Sequence, residues 1–167
     1  MKKVLFLLLS IVLFSFYKPS VHVQMANEII ATTALEIQKE TPLYFFGEGG
    51  MMMDNIKEIE MSFQKMGEIS IEQSRSLVIQ CAKLLLNNIN ENDQIRPHLI
   101  SYPFTSENIA LSIFIYNKRG GDVDSKNLCL VSLRNGKIRY LRDSIPRFEE
   151  VHSESYEEAK AILEASK

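Results

Sequence analysis

Tryptophan is absent, and cysteine is reduced to two residues, Cys81 and Cys129. A chain with so few thiols cannot lean on a disulfide scaffold, so it has to fold on a hydrophobic core. Long apolar runs are equally scarce. The longest, Val4 to Tyr17, holds fourteen residues interrupted by Ser10 and Ser15, whereas a membrane-spanning helix needs about 20. Basic excess is missing too: 19 Lys and Arg stand against 21 Asp and Glu, which argues against the cationic stripe of a nucleic-acid-binding surface. Gly47, Gly49 and Gly50 are followed neither by Gly-Lys-Ser/Thr nor directly by a helix, so they match neither a P-loop nor a dinucleotide fingerprint. The three histidines, His22, His98 and His152, lack the spacing of a zinc ligand set. No nucleophile stands beside a base at a telling distance.

What the chain does have begins with Lys2 and Lys3 ahead of the Val4 to Tyr17 run. A charged start and a short apolar stretch form the pattern of a secretory signal. The expected cut follows Ala26, although Gln24 is larger than such sites prefer; an uncleaved N-terminal anchor is the alternative. No cysteine follows the run before Cys81, so a lipoprotein-type attachment has no residue to use. Loss of Lys2, Lys3 and Lys18 leaves 16 basic against 21 acidic side chains, an acidic exported domain in the periplasm or outside the cell. Residues 1–26 are thus read as the signal, 27–41 as a lead-in segment or short helix, and 42–167 as a single domain. At 46% hydrophobic composition the chain can fill a core.

Within that domain, Leu43 to Phe46 reads as a short strand closed by the glycines, and Ile59, Met61 and Phe63 alternate with polar residues as a half-buried strand. Ser70 with Gln73 three residues later is a capping box. It opens a helix whose apolar stripe runs through Ile71, Ser74, Val78, Cys81, Leu85 and Asn88, with Glu72, Arg75, Gln80, Lys83 and Asn87 expected outside. Asn135-Gly136 between two β-rich runs signals a tight hairpin. Its register sets Leu133 against Ile138, Val131 against Tyr140 and Cys129 against Arg142 on the core face, with Arg134 against Lys137 and Ser132 against Arg139 outside. Ser155 and Glu158 open a last helix with a second capping box. The fold class expected is α+β: an antiparallel sheet of about four to five strands, a long helix packed on one face, and a short C-terminal helix.

Two groups of residues are candidates for a site. Arg134, Lys137 and Arg139 lie on the outer hairpin face beside Leu130 and Leu141, a polarised surface on an acidic domain that suits a protein or an anionic envelope surface. Glu48, His98 and Tyr102 could supply acid and base if the fold brings them together. Met51, Met52 and Met53 are soft thioether donors of the kind Cu(I) accepts, but no histidine or cysteine adjoins them in sequence, so they read as a pliable apolar patch. A Cys81–Cys129 bridge is open to an exported chain yet disfavoured, since the two residues point into the core from different layers about 10 Å apart. No metal set and no cofactor follows from these residues.

The strings GEGGMMMDNIKEIEMSF, IRPHL and YPFTSENIALSIFI together resemble a family of small exported bacterial proteins with no assigned activity, over most of residues 47–140. The resemblance implies an autonomous exported domain and carries no catalytic residue across. The expectation is therefore a non-catalytic binding or interaction module. Nucleic acid is not expected as a partner, and a membrane is expected only through an uncleaved signal segment. The alternative is a small extracytoplasmic enzyme with a dispersed acid/base site.

Overall fold

Strong local signals place most elements of the computed structural model, which describes residues 20–144 and 146–166. In chain order they are α1 (Val21–Glu40), β1 (Leu43–Met51), β2 (Glu58–Met66), α2 (Ile71–Asn90), a single 3₁₀ turn (Arg96–His98), β3 (Ile109–Tyr116), β4 (Leu128–Arg134), β5 (Lys137–Arg142), β6 (Glu149–Ser155) and α3 (Tyr156–Ala165). Both capping boxes form: Ser70 with Gln73 starts α2 and Ser155 with Glu158 starts α3. Asn135 and Gly136 both take positive φ, 50° and 68°, as the two-residue hairpin turn requires.

The result is an α+β fold with one six-stranded sheet in the order β1-β2-β3-β4-β5-β6. The sheet is mixed, which corrects the antiparallel sheet of four to five strands. β2 and β3 run parallel, with Ile59 paired to Ile109 and Phe63 to Ile113, and every other neighbour is antiparallel. The cause is α2. A chain that leaves a strand, crosses one face as a helix and re-enters the sheet beside that strand returns in the same direction.

The sixth strand, Glu149–Ser155, carries the sequence EEVHSES with a single aliphatic residue, too polar to show an alternation. It forms because β5 offers an open edge, and it pairs from Lys137–Ser155 to Arg142–Glu149.

Two local readings shift. The glycines do not close β1; they lie within it, opposite Ser62, Glu60 and Ile59. Gly50 sits at φ +147°, and a Cβ there would fall 2.2 Å from the Glu58 carbonyl oxygen, so only glycine fits this close backbone approach. At Cys129 the hairpin register breaks in a bulge. Leu128 rather than Cys129 faces Arg142, while the pairs nearer the turn keep their expected partners. The bulge turns Cys129 out of line, and it is half-buried.

One face of the sheet supplies the core: Ile59, Met61 and Phe63 from β2, Leu111, Ile113 and Ile115 from β3, Val131 and Leu133 from β4, and Ile138 and Tyr140 from β5 are all buried. All three helices pack on that face. α2 lies over β3 and β4, α1 packs along α2 and β1, and α3 packs on α2 and β6. Because α2 is flanked on both sides, Ile79 and Ala82 are buried together with Val78, Cys81 and Leu85. Asn90 ends α2 by clamping Phe104: its side-chain amide donates to the Phe104 carbonyl at 3.0 Å and its oxygen accepts from the Phe104 N–H at 2.8 Å. Phe104 thereby plugs the end of the core at 2% exposure.

Leu85 is fully buried where α2 meets the sheet. Leu85→Ala is expected to cost about 2 to 5 kcal/mol in urea unfolding, the range for a leucine cavity. A loss under about 0.5 kcal/mol, the level of surface substitutions, would place this helix face in solvent.

Candidate functional site

With every helix of the described residues on one side, the other face of the sheet is left, among those residues, to its own side chains, and the register arranges them in three rows. A central row crosses all six strands, small from Gly47 through Ser62, Ser112 and Ser132 and then charged at Arg139 before Ser153. On one side of it runs Tyr44, Gln64, Phe114, Leu130, Leu141 and Glu150. Phe46, at the β1 bulge, stands edge-on to Phe114 with ring centres 6.0 Å apart. Tyr44 and Phe46 are 59% and 60% exposed, so this end of the sheet presents aromatic surface that no element of the described residues covers. A cavity of about 250 Å³ continues it, lined by Phe114, Tyr116, Val123, Leu130 and Phe148 among others.

Charge is spread over the three rows, with Glu60, Arg134 and Lys137 in the third. Arg134 reaches across β3, where Ala110 leaves room, to Glu60 at 2.6 Å and Glu58 at 3.1 Å on β2. Lys137 and Arg139 both approach Glu150 on β6, at 3.6 and 3.5 Å. The three cations of the hairpin are thus each met by a carboxylate from a neighbouring strand. The cations stay about half exposed, and the pairs to Glu60 and Glu150 are of the exposed kind that contributes little to stability, while Glu58 is itself buried. Their effect is on the field, since cations matched by carboxylates leave little net attraction for a purely anionic surface.

Glu48, His98 and Tyr102 do not meet. Glu48 is exposed on β1. The Tyr102 hydroxyl donates to the Asn90 carbonyl, and its ring lies under the Arg96 guanidinium at 4.3 Å. His98 stacks instead on His22, with ring centres 5.6 Å apart. Cys81 and Cys129 stand as free thiols. Burial pushes the Cys81 thiol up to about 12, which removes the thiolate a nucleophile needs. Burial, followed by the charge of Asp143, raises Cys129 as well. Among the described residues, no three His, Cys, Asp or Glu side chains converge as a metal set.

A polar cluster that sequence reasoning missed lies under α2. Arg75, expected outside, is 8% exposed, and its Nε donates to Glu154 Oε1 at 2.8 Å. Tyr140 donates its hydroxyl to the same oxygen, and His152 tilts against the Tyr140 ring at 5.2 Å. Burial and then the Glu154 carboxylate raise the Tyr140 phenol, so it stays protonated as a donor. Arg75 is drawn inward because β6 brings a carboxylate beneath it. Nothing in the helical periodicity could signal this, since β6 itself was not legible. Arg75, Glu154 and Tyr140 are enclosed, with His152 at the partly exposed edge, so the evident work of the cluster is to tie α2 to the β5–β6 edge.

Comparison with protein-family models, with curated proteins and with solved structures finds no match.

The Arg75–Glu154 pair makes a quantitative expectation. Arg75→Met or Glu154→Gln alone leaves one buried charge without its partner and is expected to cost about 3 to 5 kcal/mol. The double variant, in which the glutamine still accepts from Tyr140, should lose less than the sum of the two by about 0.5 to 3 kcal/mol. Strict additivity in chemical denaturation would mean that the two side chains do not act as a pair.

Proposed function

We propose that the protein is an exported, non-catalytic binding module that uses the uncovered face of its sheet. The observation that carries this reading is the contiguous aromatic end of that face, where Tyr44 and Phe46 are exposed beside Phe114 and Leu130. Exposed apolar surface rimmed by polar groups is the usual mark of a contact site. The partner proposed is another protein whose own surface is apolar at its centre. The internal pairing of Arg134, Lys137 and Arg139 with carboxylates favours such a partner over an anionic lipid surface. In this arrangement Lys137, Arg139 and Glu150 form the polar rim.

A photo-crosslinking side chain placed at Tyr44 or Phe46 should give a discrete adduct in the native envelope, while the same group at the exposed Glu157 of α3 should not. Tyr44→Ser with Phe46→Ser, or Lys137→Glu with Arg139→Glu, should abolish or weaken the adduct formed from a crosslinker at position 114 without unfolding the domain. Equal adducts from both sides of the molecule, or an adduct indifferent to these changes, would remove the sheet face as the contact.

Export is proposed on the signal-like start, with the cut placed ahead of α1 rather than after Ala26. Ala26 is fully buried in the core and α1 begins at Val21, so a cut after Ala26 would strip a packed turn from the domain. No helix among the described residues is long and apolar enough to cross a membrane. Intact mass of the native protein should give an N-terminus between residues 17 and 21. A chain retaining Met1, or one starting at Asn27, would overturn this placement.

A further inference from the structure

β1 ends the sheet, and its far edge pairs with no strand of the described residues. An open edge offers backbone donors and acceptors to any extended chain, and folded proteins guard such edges with charge or proline. The opposite edge is guarded in this way, since β6 carries Glu149, Glu150 and Glu154. β1, with the sequence LYFFGEGGM, has one charged side chain in nine residues and neither lysine nor proline.

Two hydrogen bonds give the direction of its backbone groups. The Phe45 N–H donates to Gln38 Oε1 of α1 at 2.7 Å, so Phe45 faces away from β2. The Met51 carbonyl accepts from the Lys57 N–H at 2.8 Å, so Met51 faces inward, and alternation back along the strand turns Gly50 and Glu48 outward. Outward residues at 45 and 48, an odd spacing, are what the bulge between Phe45 and Gly47 produces. The same bulge changes the parity of the side chains. Before it, Tyr44 and Phe46 stand on the face away from the helices; after it, Gly47 and Gly49 do, opposite Ser62 and Glu60.

Neither of these glycines is required by the chain's own fold. A Cβ at Gly47 would meet nothing within 4 Å, and one at Gly49 would touch Glu60 at an ordinary 3.7 Å. Glycine inside a strand weakens it and often marks the close approach of another backbone.

We infer that two copies of the chain pair antiparallel through the edge of β1, about a twofold axis between Phe46 and Gly47. Only with the axis there does each residue from 43 to 50 oppose one on its own face. Tyr44 meets the partner's Gly49 and Phe46 the partner's Gly47, so that each aromatic ring covers backbone a glycine leaves bare. On the other face Phe45 meets the partner's Glu48 and Leu43 the partner's Gly50, and these outward pairs exchange the ladder bonds once Gln38 yields the Phe45 N–H. α1 borders the same edge. Ala31 and Leu35 precede Gln38 by seven and three residues, on the side of the helix that reaches β1, and both are exposed, Leu35 at 69%. The axis turns this side of α1 toward the same side of the partner's α1, as an isologous contact requires. The pairing uses the edge of β1 and does not rest on the protein contact proposed for the sheet face; it joins two such faces into one.

Sedimentation equilibrium of the native protein should give the mass of two chains. Glu48→Pro removes an outward N–H that β2 does not use, and should return the mass to that of one chain with an unchanged circular dichroism spectrum. The register is read by cysteine pairing in a Cys129→Ser background. Tyr44→Cys mixed with Gly49→Cys should form an intermolecular disulfide, because opposed residues of a non-hydrogen-bonded pair hold their Cα atoms about 4.5 Å apart, and neither variant should form one alone. This pairing decides the matter even if Glu48→Pro fails to fold. A single-chain mass at every concentration, a dimer that folded Glu48→Pro leaves intact, or a disulfide formed equally well by either cysteine variant alone would overturn the inference, and none of these outcomes touches the crosslinks expected from the sheet face at position 114.

Discussion

The parallel pairing of β2 with β3 is the constraint on which the rest of the molecule depends. Two parallel neighbours require a crossover, and α2 is that crossover, fully engaged along one face through Val78, Cys81, Ala82 and Leu85. Once α2 occupies the centre of that face, α1 and α3 find apolar surface only beside it. Among the described residues the helices therefore share one side, and no helix covers the sheet's other side. The pairing also explains why β3 is buried at every inward position from Ile109 to Ile115: a parallel strand beneath a crossover helix sits at the centre of the core.

Two polar devices finish what burial begins, and they differ in kind. Arg75, Glu154 and Tyr140 are enclosed and share one carboxylate oxygen. In such surroundings desolvation offsets much of the attraction, so the net worth of the pair is smaller than the cost of removing one partner. The pairs on the opposite face, Arg134 with Glu60 and the hairpin cations with Glu150, are open to solvent, and only the Glu58 end of the Arg134 pair is buried. They add little energy but decide how the surface looks to a partner, with matched charges beside an aromatic end rather than a cationic patch. The same residue types thus act as a latch within and as a neutralised rim outside, and solvent exposure makes the difference.

One end of the molecule gathers loops rather than regular elements. The start of α1, the β1–β2 turn and the 3₁₀ turn meet there through backbone bonds at Ile56 and through His22.

Elements whose signals are local were legible in the residues themselves. Ser70 with Gln73, Ser155 with Glu158, and Asn135-Gly136 act within four residues of chain, so the helix starts and the hairpin register follow from sequence alone. The α+β class and the inward stripe of α2 follow likewise from periodicity. What tertiary structure decided was everything that needs two distant segments at once. β6 exists because β5 has a free edge, Arg75 is buried because Glu154 lies under it, and Cys129 leaves the register because a bulge before Leu130 sets Leu128 opposite Arg142. Glu48, His98 and Tyr102 stayed apart while His22 came to His98, since no local rule says which loops share an end of a sheet. Periodicity and capping are properties of a few consecutive residues; proximity across the fold is set by the crossover that orders the strands.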